Sequence, residues 1–100
     1  SGGNQQKAII AREIDQNAPL ILFVQPTRGL DVGATISIRE RMIAQRAAGK
    51  AVLLISLELD EIVACADTVG VIYKGKMNKC APMGEIGIEE IGEYMMGVKQ

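Results

Sequence analysis

The sequence predicts an α/β fold with a mostly parallel sheet flanked by helices. Two observations carry that expectation. Leu20-Ile21-Leu22-Phe23-Val24 and Ala51-Val52-Leu53-Leu54-Ile55 are continuous apolar runs, as in strands covered on both faces of a parallel sheet. Segments with helical periodicity lie before, between and after them, so helices and strands alternate along the chain. A chain of 100 residues is one domain or part of one. At 48% hydrophobic residues it can build a core, and with only 3% aromatics that core comes from Ile, Leu, Val, Ala and Met.

Taken in order, the first helix is expected over residues 4 to about 16. Ile10 and Ile14 lie one turn apart with Ile9 beside them, and Lys7, Arg12 and Glu13 occupy other faces. Asn17-Ala18-Pro19 stops it, because proline disfavours a helical residue before it. The first apolar run follows as a strand. Gln25-Pro26-Thr27-Arg28-Gly29-Leu30-Asp31 reads as a loop, with Asp31 placed to cap the next helix. That helix runs from Val32 to about Ala48, with Val32, Ile36, Ile43 and Ala47 as the apolar stripe and Gly49 as the residue that ends it. The second run is a second buried strand. A short helix after Ser56-Leu57-Glu58 turns Leu59, Ile62, Val63 and Ala66 inward. Val69-Gly70-Val71-Ile72-Tyr73 is a third strand, and Lys74-Gly75-Lys76 turns the chain into a weaker fourth near residues 77–81. Pro82 breaks it. A last helix covers residues 88–96, with Ile88, Ile91 and Met95 on one face.

Composition narrows the chemistry. The formal charge is −1 and no basic face is interleaved with aromatics, so nucleic acid is not an expected partner. The absence of histidine removes the commonest general base, the Ser-His and Cys-His pairs and most zinc sites. Cys65 and Cys80 lack metal-ligand spacing and read as buried or incidental thiols of a reducing cytoplasm. Glu58, Asp60 and Glu61 read as acids favoured near a helix N-terminus rather than as a metal site. Lys74 and Lys76 read as hairpin charges. No apolar run approaches the ~20 residues needed to span a bilayer, and the polar start is not a signal peptide. The chain begins abruptly on a motif, without Met, as expected of a piece of a longer protein.

That motif is Ser1-Gly2-Gly3-Asn4-Gln5-Gln6-Lys7. Two glycines and short polar residues leading into a helix present free backbone N–H groups at the positive end of the helix dipole, a combination suited to phosphate. Locally the same residues also read as a plain N-cap. The stretch resembles the signature loop of ABC-transporter ATPases. About twenty residues further on, a strand ending in Gln25-Pro26-Thr27-Arg28-Gly29-Leu30-Asp31 resembles the end of a Walker B strand followed by a D-loop, with Gly29, Leu30 and Asp31 at its far end. Ser56-Leu57-Glu58-Leu59-Asp60-Glu61 stands at the place of the switch region. The form of these motifs is most similar to the second ATPase half of tandem importers for simple sugars and nucleosides, the Gln25-Pro26 pair pointing to the nucleoside branch. The resemblance implies that residues 1–100 are the C-terminal part of such a nucleotide-binding domain, with a partial P-loop NTPase fold ending in a hairpin and helix.

The departures are informative. No G-x-x-x-x-G-K-S/T loop is present to cradle phosphates. Where the resemblance implies Asp-Glu at the end of the Walker B strand, this chain has Val24 and Gln25; where it implies the switch histidine, it has Leu57. Val24 offers Mg²⁺ no oxygen, Gln25 can orient water but not accept its proton, and Leu57 cannot hydrogen-bond a γ-phosphate. No catalytic residue is therefore expected to be intact and no metal ligand is expected. In the family two halves meet head to tail. The resemblance then implies that Ser1, Gly2, Gly3, Asn4, Gln5 and Gln6 reach an ATP held by the other half. ATP and Mg²⁺ are cofactors of the parent ATPase, none being expected in the isolated chain, which should be inactive alone. Implied partners are the first ATPase half and membrane-spanning permease subunits, at the cytoplasmic face of the membrane. The family sheet also places a strand between those matching the second and third strands here. Its absence predicts exposed strand edges and oligomerisation or strand exchange. The alternative reading is a stand-alone α/β binding or interaction module with no nucleotide role.

Overall fold

The computed structural model describes residues 2–100; Ser1 lies outside them. The elements are α1 (Gly2–Asp15), β1 (Leu20–Val24), α2 (Val32–Ala47), β2 (Ala51–Ile55), α3 (Leu59–Cys65), β3 (Thr68–Tyr73), β4 (Lys76–Pro82), a 3₁₀ turn (Met83–Glu85) and α4 (Ile88–Met95). They fall into two units, Ser1–Leu57 and Glu58–Gln100, each with its own two-stranded sheet. The strands expected to form one mostly parallel sheet are thus a parallel pair in the first unit and an antiparallel hairpin in the second.

In the first unit the turn after α1 carries Asn17, which takes a left-handed conformation (φ 53°) and donates its N–H to the carbonyl of Ile14 at 2.9 Å. Asparagine tolerates that region better than most residues. The chain then enters β1, which pairs in parallel with β2 from Leu20 opposite Ala51 to Val24 opposite Ile55. Ile21 and Phe23 are buried on one face of this pair. The other face is open: Leu20, Leu22, Val24, Leu53 and Ile55 are each 49–57% exposed. The expectation of strands covered on both faces therefore holds for only one side within this unit.

Asp31 caps α2, its Oδ1 accepting the Ala34 N–H at 2.8 Å. Gly49, at φ 91°, closes the other end, with its N–H on the Arg46 carbonyl at 2.9 Å. The face of α2 that packs is not the expected one. Ala34, Ile38 and Met42 are buried, at successive steps of four, while Val32 and Ile36 are exposed. The helix is apolar on two sides, and close approach of α1 selects the side with the small Ala34: a Cβ on Gly3 would lie only 2.9 Å from the Ala34 Cβ. A bulkier residue at position 34 would hold the helices apart.

In the second unit β3 and β4 join through Lys74 and Gly75, both at positive φ (49° and 79°). Tyr73 pairs with Lys76 across this two-residue turn, whose twist matches that of the strands. The register shifts between Val71, opposite Lys79, and Ile72, opposite Met77, so Asn78 is the extra residue of a bulge. The core is Val69, Val71, Ala81, Ile86, Ile91 and Tyr94, with Leu59, Ile62, Met83 and Met95 packed against it. Two inward assignments change here. On α3 it is Glu61 that is buried and Val63 that is exposed; on α4 Tyr94 is buried and Ile88 exposed. Cys65 and Cys80 are free thiols.

Candidate functional site

The glycine-bearing motif is helical sooner than the sequence suggests. α1 begins at Gly2, so Gly2, Gly3, Asn4 and Gln5 form its first turn instead of a loop before it. Gly2, Asn4 and Gln5 are exposed and Gly3 is half-buried. First-turn amides have no acceptor within the helix. The turn is compatible with an anion: two of its residues are glycines and its first turn holds no carboxylate. Ser1, the sixth residue of the expected contact set, lies outside the described residues.

Gln6, also in the expected contact set, is half-buried. Its side-chain Nε2 donates to the Pro26 carbonyl at 2.7 Å, joining α1 to the loop that follows β1. A shallow cavity of about 130 Å³ sits between α1 and β1, with Gln6, Ile9, Ile10, Phe23 and Pro26 in its lining. Gly2 lies against the same loop, since a Cβ there would be 3.8 Å from the Leu30 Cδ2.

The loop of residues 25–31 is folded by its own turns. Arg28 N–H donates to the Gln25 carbonyl at 3.3 Å and Leu30 N–H to the Thr27 carbonyl at 3.1 Å. Gly29 takes φ 75°, and Pro26 and Thr27 are buried. Asp31, anticipated both as a cap and as a contact across two halves, serves as the cap here.

Val24, Gln25 and Leu57 come together at the carboxyl ends of β1 and β2. Gln25 sits at φ 48°, unusual for a residue with a side chain. Its N–H donates to the Ile55 carbonyl at 2.8 Å, and its Oε1 accepts the Leu57 N–H at 3.2 Å. The amide oxygen of Gln25 is thus engaged with backbone, while the side chains of Val24 and Leu57 are apolar and exposed. Nothing at these positions takes or gives a proton, and no carboxylate stands at 24 or 25. Among the described residues, no group of three potential ligands is placed to hold a metal ion. Mg²⁺ does not fit these residues.

Known proteins with similar sequences cover the whole chain. It is 51% identical over 100 residues to the guanosine import ATP-binding protein NupO of Bacillus subtilis (strain 168). Over 97 residues it is 53% identical to the nucleoside import ATP-binding protein NupA of Lactococcus lactis subsp. cremoris (strain MG1363). This chain is a segment of an ABC-type ATPase. It spans only about a fifth of the length of those relatives, 20% of the first and 19% of the second. No protein-family profile matches the segment.

Solved structures agree on the fold. A dimeric ATP-binding cassette in a post-hydrolysis state, bound to ADP and Pi, superposes with TM-score 0.73 at 26% identity, matching 83% of this chain and 36% of that one. A putative metal-chelate type ABC transporter in an inward-facing conformation gives TM-score 0.82 at 23% identity, matching 97% of this chain and 39% of that one. The ABC segment is thus a partial P-loop NTPase fold, with one small parallel sheet and flanking helices. Further relatives include a ribose import ATP-binding protein RbsA of Hahella chejuensis, 39% identical over 97 residues. Sequence reading missed two features of the ABC segment, the bonds from Gln6 to Pro26 and from Leu57 to Gln25. They join residues 20 and 32 positions apart, and no local pattern encodes them.

Proposed function

We propose that this segment supplies the signature turn and the D-loop to a composite ATP site whose phosphate loop lies in another ATPase half. The half to which the segment belongs has no hydrolytic site of its own. One contrast carries the reading: the first turn of α1 is exposed and anion-compatible, while Val24, Gln25 and Leu57 hold no group for metal or proton chemistry. Gly2, Gly3, Asn4 and Gln5, with Ser1 before them, would face the nucleotide. Gly29, Leu30 and Asp31 would lie at the contact between halves. ATP bound there with Mg²⁺ would gain its metal ligands and its general base from the other half. The complete protein would power import of a nucleoside or simple sugar through permease subunits, working on the cytoplasmic side of the membrane. No described helix is long and apolar enough to cross a membrane itself.

Two measurements test this reading. Calorimetry on the isolated chain with Mg-ATP should give a dissociation constant weaker than about 1 mM, because a few first-turn contacts without a phosphate cradle leave little binding energy. In the full-length ATPase, replacing the catalytic carboxylate of the other half should abolish turnover. Micromolar binding by the chain alone, or turnover that survives that replacement, would overturn it.

A further inference from the structure

We infer that Gln6 is a positioning residue, holding the signature turn and the D-loop as one body instead of touching nucleotide. The inference rests on the function proposed above. Three contacts fasten the first two turns of α1 to residues 26–34. Gln6 Nε2 donates to the Pro26 carbonyl at 2.7 Å. Gly3 packs so closely on Ala34 that a Cβ would come within 2.9 Å of its Cβ, and Gly2 lies beside Leu30. Of these only the Gln6 bond is directional. It ends on the carbonyl of Pro26, a fully buried residue. Gln6 is half-buried, whereas Asn4 and Gln5 are exposed. From Pro26 the loop has few ways to move. Its next two turns close through Arg28 on Gln25 and Leu30 on Thr27, and Asp31 is clamped to Ala34. A displacement of the first turn of α1 on meeting an anion therefore pulls on the carbonyl of Pro26 and reaches residues 28–31 through these bonds. A neutral side chain with a terminal N–H donor is what the geometry needs. Glutamate would set two acceptors face to face, and methionine would fill the same space without donating.

The test uses the full-length ATPase carrying this segment, with Gln6→Met and Gln6→Glu, and with Gly2→Asp as a control on the nucleotide-facing turn. Each variant is assayed for kcat and KM for ATP. Hydrogen exchange at the amides of Arg28 and Leu30 is followed with and without Mg-ATP. Loss of one hydrogen bond to a buried acceptor is expected to lower kcat about tenfold in both Gln6 variants while KM for ATP stays within about threefold. In the unmodified protein Mg-ATP slows exchange at Arg28 and Leu30; in Gln6→Met that response disappears although ATP still binds. If KM rises with kcat unchanged, Gln6 contacts nucleotide itself and the inference fails. If the ATP-dependent exchange response survives in Gln6→Met, the side chain is merely structural and the inference fails. Gly2→Asp separates the two levels. A carboxylate there should abolish turnover, and unchanged turnover would refute the nucleotide-facing turn itself. Abolished turnover alongside normal Gln6 variants would refute only the positioning role.

Discussion

A single methyl group has no room at Gly97. The residue follows α4 at φ 75°, and a Cβ built there would fall inside the van der Waals surface of the Tyr73 ring. Two costs would add: a left-handed conformation for a residue with a side chain, and displacement of the ring. Gly97→Ala should lower stability by about 1–3 kcal/mol, read from the denaturant midpoint. Gly84→Ala is the control, because nothing lies within 4 Å of a Cβ there; it should leave the midpoint nearly unchanged. At this scale some of the site was legible in the sequence. Asp31 read as a helix cap because capping depends on neighbours three residues away. The engagement of Gln6 and Gln25 was not legible, since each finds its partner through the fold.

At the scale of elements, α2 shows why periodicity needs a packing partner to be decisive. Its sequence offers two apolar stripes, one through Val32, Ile36 and Ile43 and one through Ala34, Ile38 and Met42. Only the second is buried; Ile38 is 0% exposed and Ile36 is 52% exposed. Ile38→Ala should therefore cost about 2–5 kcal/mol, while Ile36→Ala should change stability by less than about 1 kcal/mol, both measured by thermal or denaturant unfolding of the chain. Equal losses would show that the stripes share the packing. The element boundaries themselves followed closely from apolar runs and their punctuation: β1 and β2 coincide with the two continuous runs, and Gly49 and Lys74-Gly75 sit where a left-handed backbone is required. The burial of Glu61 on α3 did not follow, because a carboxylate in a short helix reads as solvated.

For the molecule as a whole, the exposed apolar residues set the expectation. One face of the β1–β2 pair presents Leu20, Leu22, Val24, Leu53 and Ile55 to solvent. In a sheet of two strands, each strand also keeps one unpaired edge. Exposed apolar faces and open edges promote pairing with other chains. The isolated chain should self-associate, with a mass from sedimentation or light scattering that rises with concentration. The double variant Leu22→Lys with Leu53→Lys should shift it toward monomer. A monodisperse monomer across the accessible concentration range would refute this expectation.

The sequence by itself determined the order and type of the main helices and strands, the helix stop at Gly49, the helix cap at Asp31 and the motifs that place the segment among ABC-type ATPases. Each depends on residues close together in the chain or on residue identity. Tertiary structure alone decided which stripe of α2 is buried and that Gln6 and Gln25 bond to backbone. Those outcomes depend on which surfaces meet across the fold, where small residues such as Gly3 and Ala34 allow approach and where a strand finds its neighbour. Local pattern carries no record of such meetings.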